Sequence, residues 1–207
     1  MTNVRVGTLG ILALAAAISP ASALTAKLGA GSRVWLEGTS TLHPYESTAS
    51  QVLLSLVMDP AAPAAGLADG AAAQAPARMT VRIPVAGLKS PHAALDANLR
   101  KALKADKYPD IVFAMDGYAV GKGTSPALSA KGSLTVAGVA KPETLEAALS
   151  RRGDLLVVDG EQPLLMTDFG IKPPTMMLGA IKTGDKVVVK FHLELEQAAD
   201  ARDAGKN

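Results

Sequence analysis

The chain has 207 residues, 48% of them hydrophobic, a formal net charge of +2 and no cysteine. This length supports one domain with a real core, and the lack of cysteine removes disulfides, thiolate catalysis and thiolate metal sites together. So small a charge, with only one Trp, three Tyr and three Phe, leaves no electrostatic or stacking footprint for nucleic acid.

The first residues read as a leader. Arg5 is a lone basic residue, Leu9 to Ile18 is an almost unbroken apolar run, and Ala21-Ser22-Ala23 has the small-x-small form of a cleavage site. The expectation is a signal peptide over residues 1–23 and export to a periplasm. A domain over 24–197 and a flexible polar tail over 198–207 then follow. A membrane anchor is the competing reading, but the run is shorter than the ~20 residues needed to span. No later segment is apolar enough to cross a bilayer, so no stable span is expected in the mature chain.

Ser32 to Gly38 reads as a strand, Thr39 to Pro44 as a polar break, and Ser47 to Met58 as a longer strand. Asp59 to Arg78 is rich in Ala, Pro and Gly with almost no large side chains, and reads as an exposed loop. Met79 to Val85 alternates apolar and polar residues, as a half-buried strand does. Ser90-Pro91 offers an N-cap and a first helical residue for a helix over His92 to Lys104. Leu95, Leu99 and Leu103 form its apolar stripe, Arg100, Lys101 and Lys104 suit its C-terminal dipole, and Pro109 stops it.

Asp110 to Val120 and Leu128 to Ala137 are the next strands. Lys141 to Leu149 is ambiguous. Pro142 at a first turn and the Glu-Ala content favour a short helix, while a strand stays open because sheet context overrides propensity. Leu155 to Val158 is a strand that Glu161 to Met166 continues or pairs with. Pro173-Pro174 forbids a ladder, since neither residue has an N–H. Thr183-Gly184-Asp185 supplies turn chemistry before a last strand, in which Val187, Val189, Phe191, Leu193 and Leu195 alternate with Lys190, His192 and Glu194. Seven to nine strands with one helix give an all-β fold with minor α. The expected form is an antiparallel barrel of about eight strands with the helix at one end; a sandwich is the alternative.

Little here supports catalysis. His43, His92 and His192 show no HxH or HxxxH spacing, no serine sits in GxSxG, and TDFG at 167–170 lacks every other kinase element. No enzyme, cofactor or metal site is expected. By alternation, Val81, Ile83, Ile111, Phe113, Leu134, Val136, Val189, Phe191 and Leu193 face inward, with Arg82, Lys190, His192 and Glu194 outward. Met176 and Met177 could line an adaptable apolar channel or simply pack a loop. His43 could bond a ligand head group or tie down its own loop. Periodicity does not say whether the interior is solid or hollow.

Four stretches together resemble one family: GTSTLHPYE (38–46), VAGLKSPHAALDANLRKALKADKYPDIVF (85–113), GSLTVAGVAKP (132–142) and TDFGIKPP (167–174). Their order and content, from about Ser32 to Leu195, look like the YceI-like family of bacterial lipid- or polyisoprenoid-binding proteins. The resemblance implies an exported, lipocalin-like barrel that carries a long isoprenoid in an elongated apolar channel. The nine inward residues, with Met176, Met177 and His43, then become the ligand-binding candidates. The partner is a long-chain isoprenoid or other apolar lipid, and a homodimer is left open. The alternative is a solid-core barrel acting as a periplasmic structural or protein-interaction module. Tyr45 stands where many relatives have Trp, and the 59–78 loop is longer than usual; both leave ligand choice open.

Overall fold

The computed structural model describes residues 27–58, 77–122, 126–176 and 180–196. The leader, most of the Ala/Pro loop, Met177 and the tail over 198–207 lie outside these. The strands, in chain order, are β1 (Lys27–Leu28), β2 (Arg33–Ser40), β3 (Tyr45–Ala49), β4 (Leu53–Met58), β5 (Ala77–Pro84), β6 (Leu88–Lys89), β7 (Asp110–Val120), β8 (Ala127–Val136), β9 (Val139–Arg152), β10 (Leu155–Leu165), β11 (Thr175–Met176) and β12 (Ile181–Glu196). One helix, α1 (Ala93–Ala102), and two 3-10 turns at Val85–Gly87 and Met166–Phe169 complete the described elements.

Every pairing is antiparallel, in the order β4-β5-β7-β8-β9-β10-β12-β2-β3-β6. The two ends of this path belong to one bent hairpin. β3 continues into β4 through Ser50–Val52, and β5 into β6 through Val85–Gly87, with Ser50 N donating to Gly87 O (2.8 Å) at the bend. Chain continuity therefore brings the ends of the curled sheet together. Counting each bent pair once leaves eight strands around the ring, as the alternation predicted, with β1 and β11 added at β12.

Several local readings need correction. The strand expected over Ser47–Met58 is two, because β3 pairs with β2 and β6 while β4 pairs with β5. Ala77 and Arg78, taken as loop, begin β5. The segment Lys141–Leu149 is not a helix. It lies within the 14-residue β9, paired with β8 from Val136↔Val139 to Ala127↔Ala148, and this ladder outweighs local Glu-Ala propensity. Of the two readings left open for Glu161–Met166, the structure has the continuation: Leu155–Leu165 is one unbroken strand.

Thr183-Gly184-Asp185 makes no turn. It sits inside β12, where the register against β2 shifts between Thr183 and Val187 as in a bulge, and the Asp185 carboxylate accepts from Thr167 N (2.9 Å) and Oγ1 (2.6 Å). The helix starts at Ala93 with His92 as N-cap. Ser90 is not the cap, because its N–H (2.8 Å) and Oγ–H (2.7 Å) both donate to Asp96 Oδ1 of the helix. The buried Asp96 thereby anchors the segment entering α1, and these bonds hold its carboxyl below the ordinary range.

Two apolar clusters fill the two ends of the barrel. One gathers Val85, Leu103, Phe113, Leu134, Phe169 and Ile171 around the helix. The other joins Val34, Leu149, Leu156, Val158 and Leu193. β7 has a bulge between Met115 and Gly117, which moves the inward set from Phe113 and Met115 to Tyr118 and Val120. Gly132 is paired there with Met115, and a Cβ on it would collide with the Ala114 carbonyl oxygen, so only glycine fits.

Candidate functional site

A cavity of ≈ 250 Å³ lies inside the barrel and touches members of both apolar clusters. All nine residues assigned inward by alternation line it: Val81, Ile83, Ile111, Phe113, Leu134, Val136, Val189, Phe191 and Leu193. The helix contributes the whole of its leucine stripe, Leu95, Leu99 and Leu103, and so forms part of the wall.

His43 is not among the described lining residues. His43 is exposed; its Nδ1 lies 2.8 Å from Pro44 O, and its N–H donates to Ser40 Oγ at 3.3 Å, so it ties down its own loop. Met176 stands in the two-residue β11 opposite Ile181, and Met177 is outside the described residues.

Lining residues that the sequence reading missed include Leu145 and Ala147, hidden by the helical reading of 141–149, and the polar Tyr45, Asn98, Gln162 and Thr183. Period-two alternation through Leu145, Ala147 and Leu149 was the available signal for the first group. The polar residues carry none, since a polar inward residue breaks the pattern that finds inward residues.

The lining is nearly all apolar, and among the described residues it includes no Asp, Glu, Lys, Arg or His. Tyr45 packs its ring over Gly38, and burial pushes its phenol pKa up, so it is a neutral hydrogen-bonding group. Gln162 Nε2 donates to Glu143 Oε2 at 3.0 Å. Such a space can hold an extended apolar molecule and offers a few uncharged polar contacts for orientation.

The charged groups lie on the outer face. Arg82 is exposed and pairs with Asp110 (2.9 Å), Lys190 with Glu37 (2.9 Å), and His192 Nδ1 with Asp159 (2.6 Å). Glu194, expected in water, is only 7% exposed. The segment 29–32 folds over it: Gly31 N donates to its Oε2 (3.1 Å), Gly29 N donates to its backbone carbonyl (2.7 Å), and Arg152 ion-pairs with the carboxylate. Alternation sends Glu194 away from the interior correctly; a distant piece of chain then buries it. Among the described residues no three His, Asp or Glu side chains converge in a metal-holding group.

A model of the YceI-like domain matches residues 31–195. Among solved structures, Burkholderia cenocepacia BcnA is similar with a TM-score of 0.62 and 20% identity, over 79% of this chain and 95% of that one. A polyisoprenoid binding domain from Saccharophagus degradans, implicated in plant cell wall breakdown, gives a TM-score of 0.61 at 13% identity, over 84% and 99%. A Campylobacter jejuni YCEI protein gives 0.52 at 23% identity, over 70% and 82%. At these identities the likeness concerns the fold. No curated protein sequence matches the chain.

Proposed function

Because the chain belongs to the YceI-like family, we propose that it is a non-enzymatic binding protein that carries or sequesters a polyisoprenoid or similar long-chain lipid inside its barrel. The observation that carries this reading is the cavity: an interior of ≈ 250 Å³ walled mostly by aliphatic and aromatic side chains, with no Asp, Glu, Lys, Arg or His among the described lining residues. The Saccharophagus degradans neighbour, described as a polyisoprenoid binding domain, supports the same ligand class.

Magnitudes favour a long ligand over a short one. Burying one CH₂ gains roughly 0.8 kcal/mol, so a five-carbon isoprene unit gains about 4 kcal/mol before costs. Association costs about 4–15 kcal/mol in lost freedom. One unit barely offsets the lower end of that range, whereas several give affinity from the tail alone. Export by the leader over 1–23 is part of the proposal and fits a lipid carrier working between membranes. N-terminal sequencing of protein from the periplasmic fraction should start at or near Leu24; an intact Met1 on cytoplasmic protein would remove that part.

The decisive test is organic extraction of purified protein followed by mass spectrometry. A stoichiometric lipid is the expected result. Repeatedly empty protein that takes up no added isoprenoid would favour the solid-core structural or interaction module instead.

A further inference from the structure

The helix that walls the cavity has a second face. Leu95, Leu99 and Leu103 line the cavity, while Ala97, Lys101 and Lys104 are exposed. The one acid of α1, Asp96, is buried and bonded to Ser90, so it does not share that outer face. The C-terminal half of the helix and the turn after it carry Arg100, Lys101, Lys104 and Lys107, which with Asp106 border one surface depression. Four cations against one carboxylate make this spot strongly positive, in a chain whose whole net charge is only +2. Among the described residues none of the four cations forms an ion pair.

The helix dipole accounts for part of this charge. Cations suit the last turn, so Arg100 and Lys101 need no further reason. Lys104 and Lys107 lie beyond the helix. Lys104 directly follows the cap residue Leu103 and has φ 54°, a left-handed conformation that glycine adopts freely and lysine does not. A long cation thus stands where the backbone favours glycine, an outlier that points to a use for the charge. The turn is also ordered. Lys104 O accepts from Lys107 N and Tyr108 N, both at 2.9 Å, and the Tyr108 ring lies against Gly138 of the β8–β9 connection. The cations therefore project from a fixed stretch of backbone.

We propose that this basic face of α1 and its following turn docks the protein on an anionic lipid bilayer. The proposal rests on the carrier reading above, because a lipid carrier has to meet the membrane it loads from or delivers to, and it adds which face does so. The partner is a surface of phosphate head groups, whose negative potential attracts basic residues within about a Debye length, ~10 Å at 0.1 M salt. Docked this way, α1 lies between bilayer and cavity, with its leucines inward and its cations on the head groups. Each cation near such a surface favours binding roughly fivefold, so three net positive charges give about a hundredfold enrichment. That is reversible attachment, which suits a protein that must leave again with its cargo.

The test is co-sedimentation of delipidated full-length protein with vesicles of phosphatidylcholine alone and of phosphatidylcholine mixed with phosphatidylglycerol. Wild type should bind the anionic vesicles about a hundredfold more tightly at low salt and lose most of that preference at high salt. Lys101→Gln/Lys104→Gly removes two of the charges and relieves the left-handed backbone at 104, so folding is not put at risk. It should bind the anionic vesicles about thirtyfold more weakly than wild type. Lys122→Gln/Arg151→Gln removes two exposed charges near Val120 and Leu156, at the end of the barrel whose apolar cluster holds no helix residue, and should lose little. Equal loss in both double variants, or equal wild-type binding to the two kinds of vesicle, would overturn the docking face. Uptake of isoprenoid added from detergent should be the same for all three proteins. Normal uptake without a preference for anionic vesicles would overturn the docking face alone, whereas a wild type that takes up no isoprenoid would overturn the carrier reading.

Discussion

Val189→Trp separates a hollow interior from a filled one. Val189 lies on β12 opposite Gln162 of β10 and Leu36 of β2, and all three line the same cavity. In a solid core the larger ring must displace packed neighbours, which costs roughly 1–3 kcal/mol. For a protein of this size each kcal/mol moves the thermal midpoint about 2–4 °C, so the fall would be roughly 2–12 °C. In a hollow barrel the indole enters existing space of ≈ 250 Å³, and the lipid-free midpoint stays within about 2 °C of wild type. Lipid capacity then falls, because the ring occupies part of the ligand's path. The assay is the thermal midpoint of both proteins, delipidated and after adding isoprenoid, with bound lipid counted by extraction. At a hundredfold excess over Kd, ligand should stabilise wild type by about 2.7 kcal/mol, and the variant by much less. A variant that loses 6 °C or more (about 2 kcal/mol or above), alongside a wild type that never gains stability from lipid, would refute the reasoning and make these side chains ordinary core.

Three further outcomes follow from other sites. Glu194→Ala leaves Arg152 and the Gly31 N–H without their carboxylate and should cost about 1–3 kcal/mol, discounted toward the low end because Arg152 is largely exposed. Hydrogen exchange should show faster amides at Gly29 and Gly31, and unchanged exchange there would mean the carboxylate does not hold the segment. Ser90→Ala removes the Oγ–H donor that does most to keep the Asp96 carboxyl below its ordinary value of 3.8. A carboxyl lowered in the folded state stabilises above its unfolded pKa and loses that contribution as pH falls through the folded one. The midpoint gap between wild type and variant should therefore be present at pH 7 and close in acid below 3.8; a gap independent of pH would dissociate Ser90 from Asp96. Gly132→Ala pushes a Cβ into the Ala114 carbonyl at the β7 bulge and should lower stability by roughly 1–3 kcal/mol in a denaturant titration, whereas a neutral result would show that the bulge yields.

Much of this barrel was written locally. Alternation along 79–85, 110–120, 128–137 and 187–195 assigned nine residues to the interior, and all nine line the cavity, because a strand's side-chain period of two is a property of its own backbone. The leucine stripe of α1 was likewise legible from spacing alone. Other features depend on what lies beside a segment. The stretch 141–149 became strand because β8 offered a full ladder, a contact invisible in its Glu-Ala composition. Glu194 faces outward as its parity demands, yet residues 29–32 cover it from more than 160 positions away. The split of β9 from β10 after Gly160 arises because each strand keeps its other partner. Whether the aliphatic faces meet or leave a space depends on barrel circumference and on how far α1 and the 166–171 segment reach inward. That is a sum over eight strands, to which each strand's sequence contributes only its own side chains.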